Sequence, residues 1–465
     1  MLIPDRIYGV ETEFGSMILK ENGEYVSAQN LLTAHYYEHL ETYLGGICLQ
    51  KGKKFYWHEN GSLTYMDFND HPEHATAEYR SIRAVVAGIR AGERIMADMF
   101  ASPIAGTNDH IVLYKNNVGW NEKGDMICTF GCHENYSLLL PESARRNLYD
   151  RIVPFLVTRL ILDGSGTWLK NGTFMLSQRA KWINRIASEA ATFDRALIST
   201  KPTIDTGHRL QVICGDSNML DTAAFLKIGT TSVVLALAEH GLSPPFQSEY
   251  PIQALYDISE SANPKGKFFR LMGSGRIMSA LDVQYAYLNL AKRYIPQAEY
   301  ESEKTREEFM QILALWEQAL DAIASNDQEW TLGRLYYATK KYLFEQAAAK
   351  LSSGSSQDDL RRSVDIMYHD MRPGMMQDRI RKRWADRRIL SDSEIVAAQA
   401  GPPLDTRACL RARFIAKMRQ APKWIRPNIE WNRCAFYKGN LDTVFWLSDP
   451  FWSESAAFDE FLAHV

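Results

Sequence analysis

Two acidic residues, Glu11 and Glu13, stand one residue apart in the stretch YGVETEFG that begins at Tyr8. On an extended strand, side chains at i and i+2 share a face, so both carboxylates project together. Side by side on a half-buried face they repel, and one is driven toward protonation. A divalent cation between them keeps both ionised, and hard oxygen ligands favour Mg2+ or Mn2+. A solvated edge strand with its charges outward is the alternative. A second acidic concentration follows in YMDFNDHPEHATAE, residues 65–78. There Tyr65 and Asp67 share a face of a strand, and Asp67, Asp70, Glu73 and Glu78 gather with two histidines around Pro72 and Thr76. A third lies in GCHENY, residues 131–136, where alternation puts Cys132, Glu134 and Tyr136 on one face and His133 and Asn135 on the other. Three carboxylate-bearing strands early in the chain fit a metal cradle. Such a cradle suits a nucleoside triphosphate, whose β- and γ-phosphates the metals bridge. No GxxxxGK[ST] loop is present; GSGR at 273–276 offers either Arg276 for a phosphate or a plain turn.

The elements that must position these groups can be read from periodicity. Residues 6–15 form a strand and 28–44 have helical spacing. In FYWHENGSLTYMDF (55–68), Asn60-Gly61 separates two β-prone runs and predicts a tight hairpin. Residues 78–100 form a long amphipathic helix, 110–117, 131–140 and 211–215 are strands, and 150–163 and 220–240 are helices. From about residue 277 the pattern is helical, over 280–293, 303–323 and 329–351. SSGSSQD (352–358) is a low-complexity loop, DRIRKRWADRR (378–388) is a basic stretch, and Pro402-Pro403 marks a boundary before the β-prone, aromatic segment 424–450. The basic stretch is a solvated helix or a groove for an acidic partner.

The bulk numbers limit the function classes. A chain of 465 residues suggests one large domain plus a smaller one. With 53 basic and 56 acidic residues the net charge is -3, which argues against a general nucleic-acid binder. Six scattered cysteines without a CxxC pair read as reduced thiols. The N-terminal residues carry no signal-peptide pattern, and no apolar run reaches the ~18–20 residues that span a bilayer. The expectation is a cytoplasmic protein with no membrane partner.

ETEFG, NGxxxYxDxxxHPExATAE, AGER, KNN, GCHENY, PFLVTR, LSQRA, GDSNM, RLMGSGRIMSALD, YHDMRPG, PPLDTRACLRARFI and SDPF, in that order, resemble the Pup ligase and depupylase family of carboxylate–amine ligases. The resemblance implies an α+β fold. A glutamine-synthetase-like curved antiparallel sheet, flanked by helices, cradles Mg-ATP over residues 1–400, and a small C-terminal α+β domain follows over 401–465. It implies phosphorylation of the C-terminal glutamate of Pup, a small disordered ubiquitin-like protein, and attack by a target lysine to make an isopeptide bond. It assigns Glu11, Tyr65 and Glu73 to the metal site, Asp67 as the base that deprotonates the lysine, and Thr76 and Trp431 to the nucleotide. Glu13 and Arg276 are added from strand alternation and charge. The short interval between Gly15 and Asn60 points to the ligase branch rather than the depupylases, which carry a long insertion there.

Three positions depart from the family pattern. Leu63 stands where an arginine is expected, Gln211 where a histidine is expected, and the loop TKPTIDTGHRL (200–210) is short. The metal and triphosphate half is therefore expected to be intact and the acceptor side altered. A phosphotransferase acting on a different acceptor is the runner-up, and an ATP-binding pseudoenzyme is a third reading.

Overall fold

The computed structural model describes all residues except 29–45, 52, 68–70, 105, 122, 141, 191–193, 202–208, 351–355 and 440. The helix expected over 28–44, Asp70 and most of the 352–358 loop therefore lie outside the described residues. The chain divides into two compact units, one from residues within 7–114 and 390–465, the other from residues within 1–6 and 115–389.

In the first unit, Tyr8–Glu13, Pro72–Ala75, Leu63–Met66, Lys53–His58 and Gly46–Lys51 lie side by side in that order, every neighbouring pair antiparallel. The turn between Lys53–His58 and Leu63–Met66 is the expected one. Gly61 has φ +80°, and the Asn60 carboxamide oxygen accepts hydrogen bonds from the Ser62 N–H at 3.1 Å and its hydroxyl at 2.6 Å. Asparagine closes the turn and glycine supplies the left-handed φ. One face of the sheet is covered by the helix Ile82–Met99, capped by Ser81. The helix comes close because it presents glycine to the strands. A Cβ at Gly92 would stand 2.3 Å from the His74 ring, and one at Gly88 would stand 2.5 Å from the Tyr79 ring.

The opposite face is apolar at one end. Trp57, Leu63 and Ala75 share a core there with Leu410, Phe414 and Ile415 of the helix Arg407–Gln420, with Ile429, Cys434 and Phe436 of a three-stranded antiparallel sheet, and with Phe458 and Phe461 of the last helix. That sheet is formed by Arg426–Glu430, Arg433–Lys438 and Leu441–Trp446, as the aromatic segment 424–450 foretold. Residues 401–465, expected as a separate small domain, thus pack within this unit. Its polar bond is Glu78, whose carboxylate takes hydrogen bonds from Arg407 Nε at 2.9 Å and from both terminal nitrogens of Arg411. Arg411 also donates to Gly61 O at 3.0 Å and Trp431 O at 2.9 Å, with its guanidinium 4.9 Å from the Trp57 ring and 4.8 Å from the Trp431 ring. Glu78 therefore belongs to a buried ion pair and not to the acidic cluster that the sequence suggested.

In the second unit, Arg185–Ser188, Ala196–Ser199, Arg209–Val212 and Cys132–Ser137 lie side by side, the first pair parallel and the others antiparallel. Helices Arg145–Thr158, Asp221–Glu239, Ala280–Tyr294 and Glu303–Ser325 pack in the same unit. Asp221–Glu239 is long and apolar enough to cross a membrane, contrary to the expectation from apolar runs, but the whole of it that qualifies is buried inside the unit. It is a core helix, and its Lys227 donates to Asp216 O at 2.7 Å. Asp216, from the GDSN motif, gathers five donors: the Ser165 N–H and hydroxyl, the Ser177 hydroxyl, and the N–H groups of Gln178 and Arg179. Asn117, from KNN, accepts from Ser217 N and donates to Phe130 O, while Gln178 bonds both Asn117 N and Asp365. Motifs far apart in sequence therefore meet as one buried network, in which each member lost would strand its partners.

Two outcomes follow. The arginines hold the Glu78 carboxyl down at about 2, against an ordinary 4.5. Its stabilisation is complete above the unfolded value and is lost as pH falls through the folded one. Urea unfolding should show wild type more stable than Glu78→Gln by about 3 kcal/mol at pH 7, with the gap shrinking between pH ~4.5 and ~2. Gly92→Ala should cost about 1–3 kcal/mol in the same assay, because the ring beneath it must move.

Candidate active site

The carboxylates meet because of strand register. Glu13 lies directly opposite Glu73 on the neighbouring strand, and Glu73 lies directly opposite Tyr65 on the next. This row crosses three strands, with Glu11 two residues before Glu13 on the same face. Directly opposed side chains have Cβ atoms about 4.5–5.5 Å apart, and like charges so placed repel. Asp67 follows the end of Leu63–Met66, its N–H bonded to His71 O at 2.9 Å. Oxygens of Glu13, Asp67 and Glu73 all lie within 4.8 Å of one another. His71 Nδ1 approaches Glu13 Oε2 at 3.0 Å.

The electrostatics match this crowding. Burial raises the Glu73 carboxyl well above the usual range, and the negative charges of Glu11, Glu13 and Asp67 push it further. Burial likewise raises the Tyr65 hydroxyl, reinforced by Glu73, Glu11 and Asp67, and Tyr65 hydrogen-bonds Glu73. The charged groups acting on Glu73 are thus other carboxylates. An all-oxygen, anionic donor set of this kind fits a hard divalent cation such as Mg2+, which would keep the carboxylates ionised. Behind the row, on the helix-covered face, burial lowers His74 to about 3 and His58 well below its ordinary value, so both rings are neutral.

The other expected residues have distinct settings. Thr76 is buried, and its hydroxyl accepts from Val10 N at 3.0 Å and donates to Ala77 O at 2.9 Å, joining the first strand to the chain beyond Pro72–Ala75. Trp431 lies at the turn between Arg426–Glu430 and Arg433–Lys438, half-buried, edge-on to Trp57 at 4.9 Å. Arg276 belongs to the other unit, exposed beside a hairpin tip in which Gly273 and Gly275 have φ +78° and +65°. Glu134 corrects the third acidic cluster. The strand Cys132–Ser137 alternates as expected, but its Cys132, Glu134, Tyr136 face goes into the core. There Arg159 grips Glu134 with bonds of 2.9 and 2.5 Å, Tyr136 adds one of 2.6 Å, and the arginine holds the carboxyl down despite burial. Leu63 is 5% exposed and packs in the apolar core, so an apolar contact replaces the expected arginine. Gln211 is buried opposite Asn135 and Ser199.

Sequence reading missed two partners. His71 was noted only as part of an acidic segment, and its contact with Glu13 depends on how the chain reverses before Pro72. Arg411 stands in PPLDTRACLRARFI, where the resemblance gives it no role and nothing local marks it as an ion-pair partner.

The sequence model of the Pup-ligase protein family matches residues 6–435. The Pup–protein ligase of Mycolicibacterium smegmatis is 33% identical over 463 residues, covering 96% of this chain and 97% of that protein. The Pup–protein ligase of Nakamurella multipartita is 32% identical over the same length and coverage. Among solved structures, the Pup ligase PafA in complex with Pup superposes with a TM-score of 0.82 at 25% identity, covering 99% of this chain and 92% of that one. PafA in complex with ADP gives a TM-score of 0.74 at 25% identity, covering 94% of both chains. A carboxylate row built by strand register, in a chain that matches these proteins nearly end to end, places it in one family: this protein belongs to the Pup ligases.

Proposed function

We propose that this chain is an ATP-driven, Mg2+-dependent carboxylate–amine ligase of the cytoplasm. It joins the C-terminal carboxyl group of a small disordered ubiquitin-like protein of the Pup type to lysine amines on target proteins. The observation that carries this is the row of Glu13, Glu73 and Tyr65 across three strands, with Asp67 at its end. Glu11, Glu13, Tyr65 and Glu73 hold the metal. Magnesium, when bound, neutralises the triphosphate and the charge that develops as its terminal phosphoryl leaves. Thr76 and Trp431 contact the nucleotide, and the Trp431 ring offers a flat apolar surface to the base.

Asp67 has the acid–base task. A lysine arrives as an ammonium ion and cannot attack until it loses a proton. A carboxylate at the end of the row accepts that proton as the amine adds to the activated carboxyl, and phosphate leaves. Leu63 leaves the phosphate side without one cation, yet the whole-length likeness to Pup–protein ligases supports the ligase reading over a phosphotransferase.

Calorimetry should show nucleotide binding that needs Mg2+, and Glu73→Gln should weaken it; nucleotide binding indifferent to both would remove the metal role. Asp67→Asn should leave nucleotide binding within a few-fold while ligation falls by about 10²–10⁴. The readout is mass spectrometry of an amide-linked adduct formed with ADP release. A phosphorylated small acceptor without adduct would identify a phosphotransferase instead.

A further inference from the structure

On the helix-covered face of the same strands, three buried polar side chains form a line. His58 Nε2 lies 2.8 Å from Thr64 Oγ1, and Thr64 Oγ1 lies 3.1 Å from His74 Nδ1. All three residues are at most 3% exposed. Thr64 and His74 are direct cross-strand partners, and each is the sequence neighbour of a residue in the front-face row, Tyr65 and Glu73. The ring of His74 lies directly beneath the helix at Gly92, where a Cβ would stand 2.3 Å from it.

The line has a direction. The Thr64 hydroxyl has one hydrogen, so it donates to one ring and accepts from the other. With the His74 proton on Nδ1, Thr64 accepts from His74 Nδ1–H at 3.1 Å and donates to His58 Nε2 at 2.8 Å. Met96 Sδ, 3.7 Å from Thr64 Oγ1, is the weaker acceptor. Hydrogen-bond accounting agrees. His74 Nε2 has no hydrogen-bond partner among the described residues. A stranded buried donor is rarer in proteins than a stranded acceptor, so the proton sits on Nδ1.

We propose that His74, through Thr64 and His58, is a positioning residue for the metal-holding row. The relay pins the register that sets Glu73 opposite Tyr65 and Glu13. A slip of one residue would turn every side chain of a strand to the other face and scatter the carboxylates. The mutual repulsion of those carboxylates favours such loosening, so the front face needs a fastening on the back. This rests on the reading of the front face as the metal site.

Two near-isosteric substitutions separate position from bulk. Asn at 74 can place an amide donor where Nδ1–H stands, whereas Leu has the same branching and no donor. Thr64→Val removes only the hydroxyl. Mg2+ is titrated calorimetrically into the full chain, and melting temperature is recorded alongside. His74→Leu and Thr64→Val should each weaken Mg2+ binding about tenfold, the scale of one buried hydrogen bond, while His74→Asn stays close to wild type. Nitrogen-15 spectra of wild type should show His74 as the Nδ1–H tautomer. If Leu and Val lower the melting temperature but leave Mg2+ affinity unchanged, or if His74 carries its proton on Nε2, the relay is overturned. Should His74→Leu fail to fold, Thr64→Val and the tautomer decide. Glu73→Gln serves as the control. If it too leaves Mg2+ binding unchanged, the metal reading itself falls and the relay's role with it. If Glu73→Gln weakens binding while the relay variants do not, only the relay falls.

Discussion

The structure depends on a repulsion held in place. Glu13 and Glu73 face each other across adjacent strands, with Glu11 and Asp67 close by. A ladder left to itself would not set two carboxylates in direct opposition. The arrangement is stable as protein structure only because the rest of each strand is committed elsewhere. Leu63 and Ala75 are locked into the apolar core on one side, and Thr64 and His74 are bonded beneath the helix on the other. Charge that would loosen an isolated hairpin is thereby kept concentrated where an ion can use it.

The two kinds of buried charge in this protein illustrate the difference between support and function. Glu134 and Glu78 are each gripped by arginine, and their carboxyls are held below the ordinary range. Glu73 is surrounded by its own kind and is pushed the other way. All three are glutamates in or beside strands, yet opposite electrostatic environments give them opposite tasks. The GDSN, LSQRA and KNN motifs fall with the supporting class: they meet at Asp216 and Asn117 and hydrogen-bond one another.

Much of this was legible in the sequence, for identifiable reasons. Strand alternation in YGVETEFG and the Asn60-Gly61 turn are local, so the shared face of Glu11 and Glu13 and the hairpin could be read directly. The same local rule gave the right alternation for Glu134 and the wrong destination, because alternation says which residues share a face and not whether that face meets solvent or core. The direct opposition of Glu13 and Glu73 was not legible, since register between strands some 60 residues apart is set by packing. Nor was the fate of Glu78, whose partners Arg407 and Arg411 come from more than 300 residues away. Charge alone cannot tell a ligand from an ion-pair partner when the other half arrives so late in the chain.

Arg411 joins three places that sequence keeps apart: the hairpin turn at Gly61, the carboxylate of Glu78 and the backbone of Trp431. Its guanidinium also packs against both of the touching indoles, Trp57 and Trp431. Because a single rigid fork serves all of them, none can drift independently. A change of side chain at any one of these contacts would be felt at the other two, so substitutions around this arginine should be inherited as sets, with lysine a poor substitute because it lacks the planar reach to bind all three at once.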